Sequence, residues 1–141
     1  KGYIIVGQET DGSVTPVDLD MNWIVSKKKY DFIGKRALIR SDTVKEDRKQ
    51  LVGILTVDPS IVLEEGSQLV EVETSLPMPM VGHITSSYYS PNLGRSIALA
   101  LVKSGTKKKG VKLIVPTVNS SIEVEITNPV FIDPENERLM A

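Results

Sequence analysis

From Gln50 onward, apolar and polar positions alternate in short runs, whereas the first third of the chain keeps no single period. The clearest run is SSIEVEIT, which sets Ile122, Val124 and Ile126 on one side and Glu123 and Glu125 on the other. That period of two is the mark of a half-buried strand. QLVGILTV is a second strand candidate, and Gly53 inside it predicts a bulge or the close approach of another backbone. EEGSQLVEVE turns at Gly66 and continues as a strand, and MVGHITSSYY follows as another. IALALV, Ile97 to Val102, is apolar on both faces, which predicts a central strand covered on both sides. GVKLIVP comes after the basic turn SGTKKKG, and NPVFID closes the set. Between two of these strands lies Ser90 to Gly94, where Pro91 sets φ and Asn92 and Gly94 tolerate positive φ. Turn signals at such short, regular intervals favour a small antiparallel barrel or sandwich.

Residues 1–48 mix strand and helix signals. Ile4 to Gly7 is a short apolar run, and Asp11-Gly12 marks a turn. Thr15 can cap a short helix with Pro16 in its first position, where a missing N–H costs nothing. YDFIGKRALIRSD predicts a helix with Asp31 as N-cap, although Gly34 weakens its first turn. SDTVKEDRK, residues 41–49, is a charged run expected to be a solvated linker. The fold class expected is therefore α+β, mostly β.

Composition narrows the chemistry. Seventeen Lys and Arg balance eighteen Asp and Glu, so the chain as a whole has no electrostatic pull toward nucleic acid or membrane. There is no cysteine and one histidine, which excludes disulfide frameworks, thiolate catalysis and His-rich metal sites. No apolar run approaches the roughly 20 residues of a membrane-spanning helix. The chain starts at Lys1 in an apolar stretch with no signal peptide, as expected of a piece of a longer protein.

His83 is the natural first suspect for catalysis. In a regular strand it shares a face with Thr85 and Ser87, at ~7 and ~14 Å along the strand, and neither position recruits an acid. A structural histidine is the better reading. Asp18 and Asp20 have the residue type for acid–base work but read as an exposed helix end. Lys107-Lys108-Lys109 reads as a solubilising hairpin tip. Lys27-Lys28-Lys29, just after Trp23, could hold a small anion with the indole as an apolar wall, although plain surface charge is the simpler account. No phosphate loop, dinucleotide motif or complete catalytic set emerges.

Four blocks, TPVDLDMNWIVSKKKYDFIGKRAL, RKQLVGI, GHITSSYYSPNLGRSIALALV and PVFIDPENER, occur in an order that resembles the C-terminal part of the glycine-cleavage T-protein (aminomethyltransferase) family. YIIVGQETDG, DFIGKRAL, LVGI and GHITSSYYSP point to the branch that forms the α subunits of heterotetrameric sarcosine oxidases. The resemblance implies a C-terminal remnant of a folate-binding domain over residues 1–48 and an antiparallel Greek-key β-barrel over residues 49–141. It implies a parent enzyme that oxidises sarcosine to glycine with FAD, FMN and NAD bound elsewhere. In that enzyme tetrahydrofolate captures the methyl carbon as 5,10-methylenetetrahydrofolate. The flavin apparatus and the family's catalytic aspartate belong upstream, so no catalytic residue is expected here and the piece alone should be inactive. Site residues carried over are Tyr3, on the strand lining the folate pocket, and Trp23 and Lys29, from a segment that contacts folate. His83 is expected at the interface between the two domains. Expected partners are the upstream part of the same chain, other subunits of the oxidase and folate, with neither nucleic acid nor membrane, in the cytoplasm. The alternatives are a T-protein-like aminomethyltransferase, a folate-dependent demethylase, or a stand-alone interaction barrel.

Overall fold

A computed structural model describes residues 1–72 and 74–140. Among the described residues six strands carry the fold: β1 (Lys49–Thr56), β2 (Gln68–Leu69), β3 (Gly82–Ser90), β4 (Arg95–Lys103), β5 (Lys112–Pro116) and β6 (Ser121–Thr127). They are antiparallel throughout, in the order β2-β3-β4-β1-β6-β5. An antiparallel bridge between Val70 and Ile114, each N–H donating to the other's carbonyl at 2.9 Å, joins the two edges. This closes the sheet into a barrel and removes the open edges that would otherwise invite pairing with another chain.

The apolar pattern explains the packing on both sides of the sheet. β4 alternates as its sequence demands. Ala98, Ala100 and Val102 point into the barrel with Val52, Ile54 and Ile84. Leu99 and Leu101 point outward and are covered by Leu19, with Ile4, Val14, Met21 and Phe131 packed around them. Half of the outer cluster thus comes from residues 4–21, which pack against the outside of the barrel. Gly53 is the close approach its position foretold. A Cβ there would collide with the Asn128 carbonyl and come within 2.9 Å of the Phe131 ring.

Several expectations need correction. Residues 30–42 form no α-helix; only a 3-10 turn, Lys35–Ile39, is present. Gly34 before it sits at φ 93°, and Ile33 and Ile39 are exposed, so no buried face stabilises a longer helix. Thr15 caps no helix. Instead the Asp18 carboxylate accepts from the Thr15 N–H and hydroxyl, both at 2.8 Å, and closes a turn. NPVFID is not a strand; it is a loop that drops Phe131 into the outer cluster. β3 carries a bulge between Ile84 and Ser86, which breaks the regular alternation. His83 faces outward opposite Leu101, while Ser87 lies opposite the inward Ala98 and accepts from the Leu63 N–H at 3.1 Å. His83 and Ser87 therefore share no face.

Candidate functional site

Two of the three carried-over site residues meet. The first residues of the chain and the 3-10 turn Asn22–Ile24 bring Tyr3 and Trp23 to one cleft of about 580 Å³, with Met21, Leu51, Pro129 and Val130 in its lining. Both aromatics stand well out, Tyr3 at 66 % and Trp23 at 78 % exposure. Flat, solvent-facing aromatic walls over an apolar floor suit a planar ring stacked against them. Lys29 lies elsewhere, in a separate hollow of about 410 Å³ with Ile24, Phe32, Ile33 and Leu38. Its neighbour Lys35 donates to the carbonyls of Lys29 (3.3 Å) and Tyr30, and sits 5.9 Å from the centre of the Tyr30 ring.

A second, polar cleft of about 290 Å³ lies where residues 11–18 meet the barrel. Asp18 and Arg48 form its base. Arg48 donates from Nε to Asp18 Oδ1 (2.8 Å) and from Nη2 to Asp18 Oδ2 (2.5 Å) and the Ser13 carbonyl (2.6 Å). Burial pushes the Asp18 carboxyl up, but the bonds from Arg48 and Thr15 outweigh it and hold it below the usual carboxylate range. The Asp18 carbonyl in turn accepts from the Leu51 N–H at 2.7 Å, so this residue ties residues 1–48 to β1. Far from an exposed helix end, Asp18 is buried, and Arg48 from the charged linker is its ion-pair partner. The Thr15-x-x-Asp18 spacing is a capping pattern and was the available signal for Asp18. Nothing local marked Arg48, because its role depends on a partner 30 residues away.

His83 borders the same cleft, with Nδ1 3.5 Å from Lys49 Nζ. Burial and the Lys49 charge together draw its pKa below the ordinary histidine value, with Asp11 pulling weakly the other way. The basic tip is not free either: Lys107 pairs with Glu46 at 2.9 Å and Lys108 with Glu71 at 2.5 Å.

The sequence profile of the glycine cleavage T-protein C-terminal barrel domain matches residues 49–133. The chain belongs to this family. Over 141 aligned residues this T-protein barrel chain is 50 % identical to a sarcosine oxidase subunit alpha from Corynebacterium sp. (strain P-1), covering 98 % of the chain and 14 % of that protein. The same subunit from Rhizobium meliloti (strain 1021) is 38 % identical, covering 99 % of the chain and 14 % of its own length. An aminomethyltransferase from Thermotoga neapolitana is 33 % identical over 129 residues, 92 % of the chain and 33 % of that protein. Among solved structures, glycine cleavage system aminomethyltransferase T from Bartonella henselae superposes with a TM-score of 0.75 at 21 % identity, over 90 % of this chain and 34 % of the other. That likeness shows a shared fold. The T-protein barrel chain thus spans 14 % of the length of the two sarcosine oxidase relatives. The family profile covers the six strands and their closure, and the Tyr3 and Trp23 walls of the aromatic cleft lie before it.

Proposed function

We propose that the chain is the folate-side end of a sarcosine-oxidase-type α subunit. In this reading sarcosine is oxidised to glycine elsewhere in the protein, where FAD, FMN and NAD bind. Tetrahydrofolate captures the released methyl carbon as 5,10-methylenetetrahydrofolate. Residues 1–48 belong to the folate-binding domain, residues 49–141 to the barrel, and the remainder of the α subunit packs on the exposed apolar side chains of the first segment. Identity of 50 % across nearly the whole chain to a sarcosine oxidase subunit alpha is the observation that carries this proposal. The geometry supports it through the Tyr3–Trp23 cleft, whose aromatic walls fit a pteridine ring. The exposed Lys27, Lys28 and Lys29 that follow Trp23 offer point charges to a carboxylate tail.

Calorimetric titration with 5-formyltetrahydrofolate, a chemically stable folate, tests the cleft. Binding is expected, with Tyr3→Ala and Trp23→Ala each weakening it about fivefold, the equivalent of ~1 kcal/mol of ring contact. Absence of binding by the unmodified chain sinks the folate assignment. Sarcosine turnover by the 141-residue chain alone, with or without folate, would overturn the placing of the oxidative chemistry outside it.

A second reading, a fragment of a T-protein-like aminomethyltransferase, has the 33 % identity to the Thermotoga protein in its favour. Lower identity than to the oxidase subunits places it second.

A further inference from the structure

The polar cleft beside His83 keeps two charges that its own contacts leave unmatched. Asp11 and Asp18 reach it from residues 1–48, Arg48 and Lys49 from the entry to β1, and His83 from β3, with Leu101 of β4 as an apolar patch. Asp18 and Arg48 neutralise each other, and their remaining bonds go to Thr15 and to the carbonyls of Ser13 and Asp42. Lys49 is different. Among the described residues no carboxylate comes within ion-pair distance of its ammonium group, and the side-chain group it meets is His83 Nδ1 at 3.5 Å. Both are only half-buried, so a small molecule can reach them. Burial and the Lys49 charge hold His83 toward its neutral form, in which Nδ1 accepts from Lys49 and Nε2 keeps a proton to donate. Asp11 supplies the opposite charge. Its Oδ1 accepts from the Ser13 hydroxyl (2.6 Å) and N–H (2.7 Å), which holds the carboxyl below the usual range, and Oδ2 is left without a side-chain donor. A simple anion would be repelled by Asp11 and a simple cation by Lys49, whereas a molecule that carries both charges satisfies both.

We propose that this cleft binds a small zwitterionic amino acid. Its carboxylate accepts from the Lys49 ammonium and the His83 ring N–H, and its ammonium group donates to Asp11 Oδ2. The volume of about 290 Å³ and the apolar Val14 and Leu101 beside these groups suit a ligand with little polar surface beyond its two charges. Neither Tyr3, Trp23 nor Lys29 lines this cleft, so the inference stands or falls apart from the folate reading.

His83 is the only histidine in the chain, so its ring signals in a proton–carbon NMR spectrum report on this cleft alone. Glycine, the smallest zwitterion of the class, is titrated into the unmodified chain at constant ionic strength, with acetate and methylammonium as its two halves. Glycine is expected to move the His83 signals saturably. It should also raise the pH at which they titrate, because a carboxylate beside the ring favours the protonated form. Lys49→Met and Asp11→Asn are each expected to weaken binding about fivefold or more, and Lys112→Met, on β5 outside the cleft, to leave it unchanged. Circular dichroism checks that each variant keeps its sheet. Absence of a saturable shift with glycine overturns the proposal, as does a response that survives both cleft substitutions undiminished. If acetate binds as tightly as glycine, the zwitterion assignment and the part given to Asp11 are refuted.

Discussion

The barrel, residues 49–127, and the segment before it are stabilised in different ways. In the barrel's strands most apolar side chains are buried against one another, and the backbone groups pair in continuous ladders. In residues 1–48 the backbone makes isolated turns and two short 3-10 pieces, and many large apolar side chains face outward: Tyr30, Ile33, Ile39 and Trp23 among them. The segment holds its place by four apolar side chains on the outer cluster and by the Leu51 N–H donating to the Asp18 carbonyl, while the buried Asp18 carboxylate pairs with Arg48 just before β1. The contrast separates two sources of order. Ladder and core make the barrel sufficient in itself, while the first segment is shaped by what it lies against, and it leaves an apolar surface for something else to cover.

Substitutions can break or sharpen that contrast. The largest effect is expected inside the barrel. Gly53→Val drives a side chain into the Asn128 carbonyl and Phe131, and should cost at least ~4 kcal/mol, read as collapse of the urea midpoint or loss of soluble protein. Next comes the buried ion pair of the first segment, beside β1. Asp18→Ala strands the Arg48 guanidinium and should cost about 3 kcal/mol in the same measurement, whereas replacing both residues by apolar ones should recover much of the loss.

A smaller effect concerns pH. His83 binds its proton less readily in the folded chain than in the unfolded one, so protonation favours unfolding. Stability should therefore fall as pH drops from 7 through the region below 6.5, and His83→Gln should flatten that slope. The Asp18 carboxyl, held below its ordinary value, contributes only to the loss at lower pH, below about 4. The smallest effect belongs to the first segment's open face. Ile33→Ser should change the unfolding free energy by less than ~0.5 kcal/mol, because Ile33 is already fully in solvent. A large destabilisation there would mean that the segment has a core of its own.

Legibility in the sequence follows the same division. Strands β1, β3, β4, β5 and β6 were readable from short local runs bounded by turn signals, β6 from its period of two and β4 from an apolar stretch, Ile97 to Val102, that no polar face interrupts. The helix expected over residues 30–42 failed because propensity without a face to bury cannot sustain a short helix. The bulge in β3 was invisible, and it reversed the facing of Ser87. Of the candidate site, Tyr3 and Trp23 came together while Lys29 went to a neighbouring hollow. The Lys1–Asp133 contact joins positions 132 apart, a separation no local pattern encodes.

By itself, the order of residues determined a β-rich domain with a central two-faced strand, an absence of thiol chemistry and a family. Alternation and composition act over a few residues and survive without knowledge of the fold. The closure of the barrel through Val70 and Ile114, the burial of Asp18 against Arg48 and the meeting of Tyr3 with Trp23 were decided only in three dimensions. Each depends on which distant backbone the chain places within hydrogen-bonding reach, and that is a property of the packed whole.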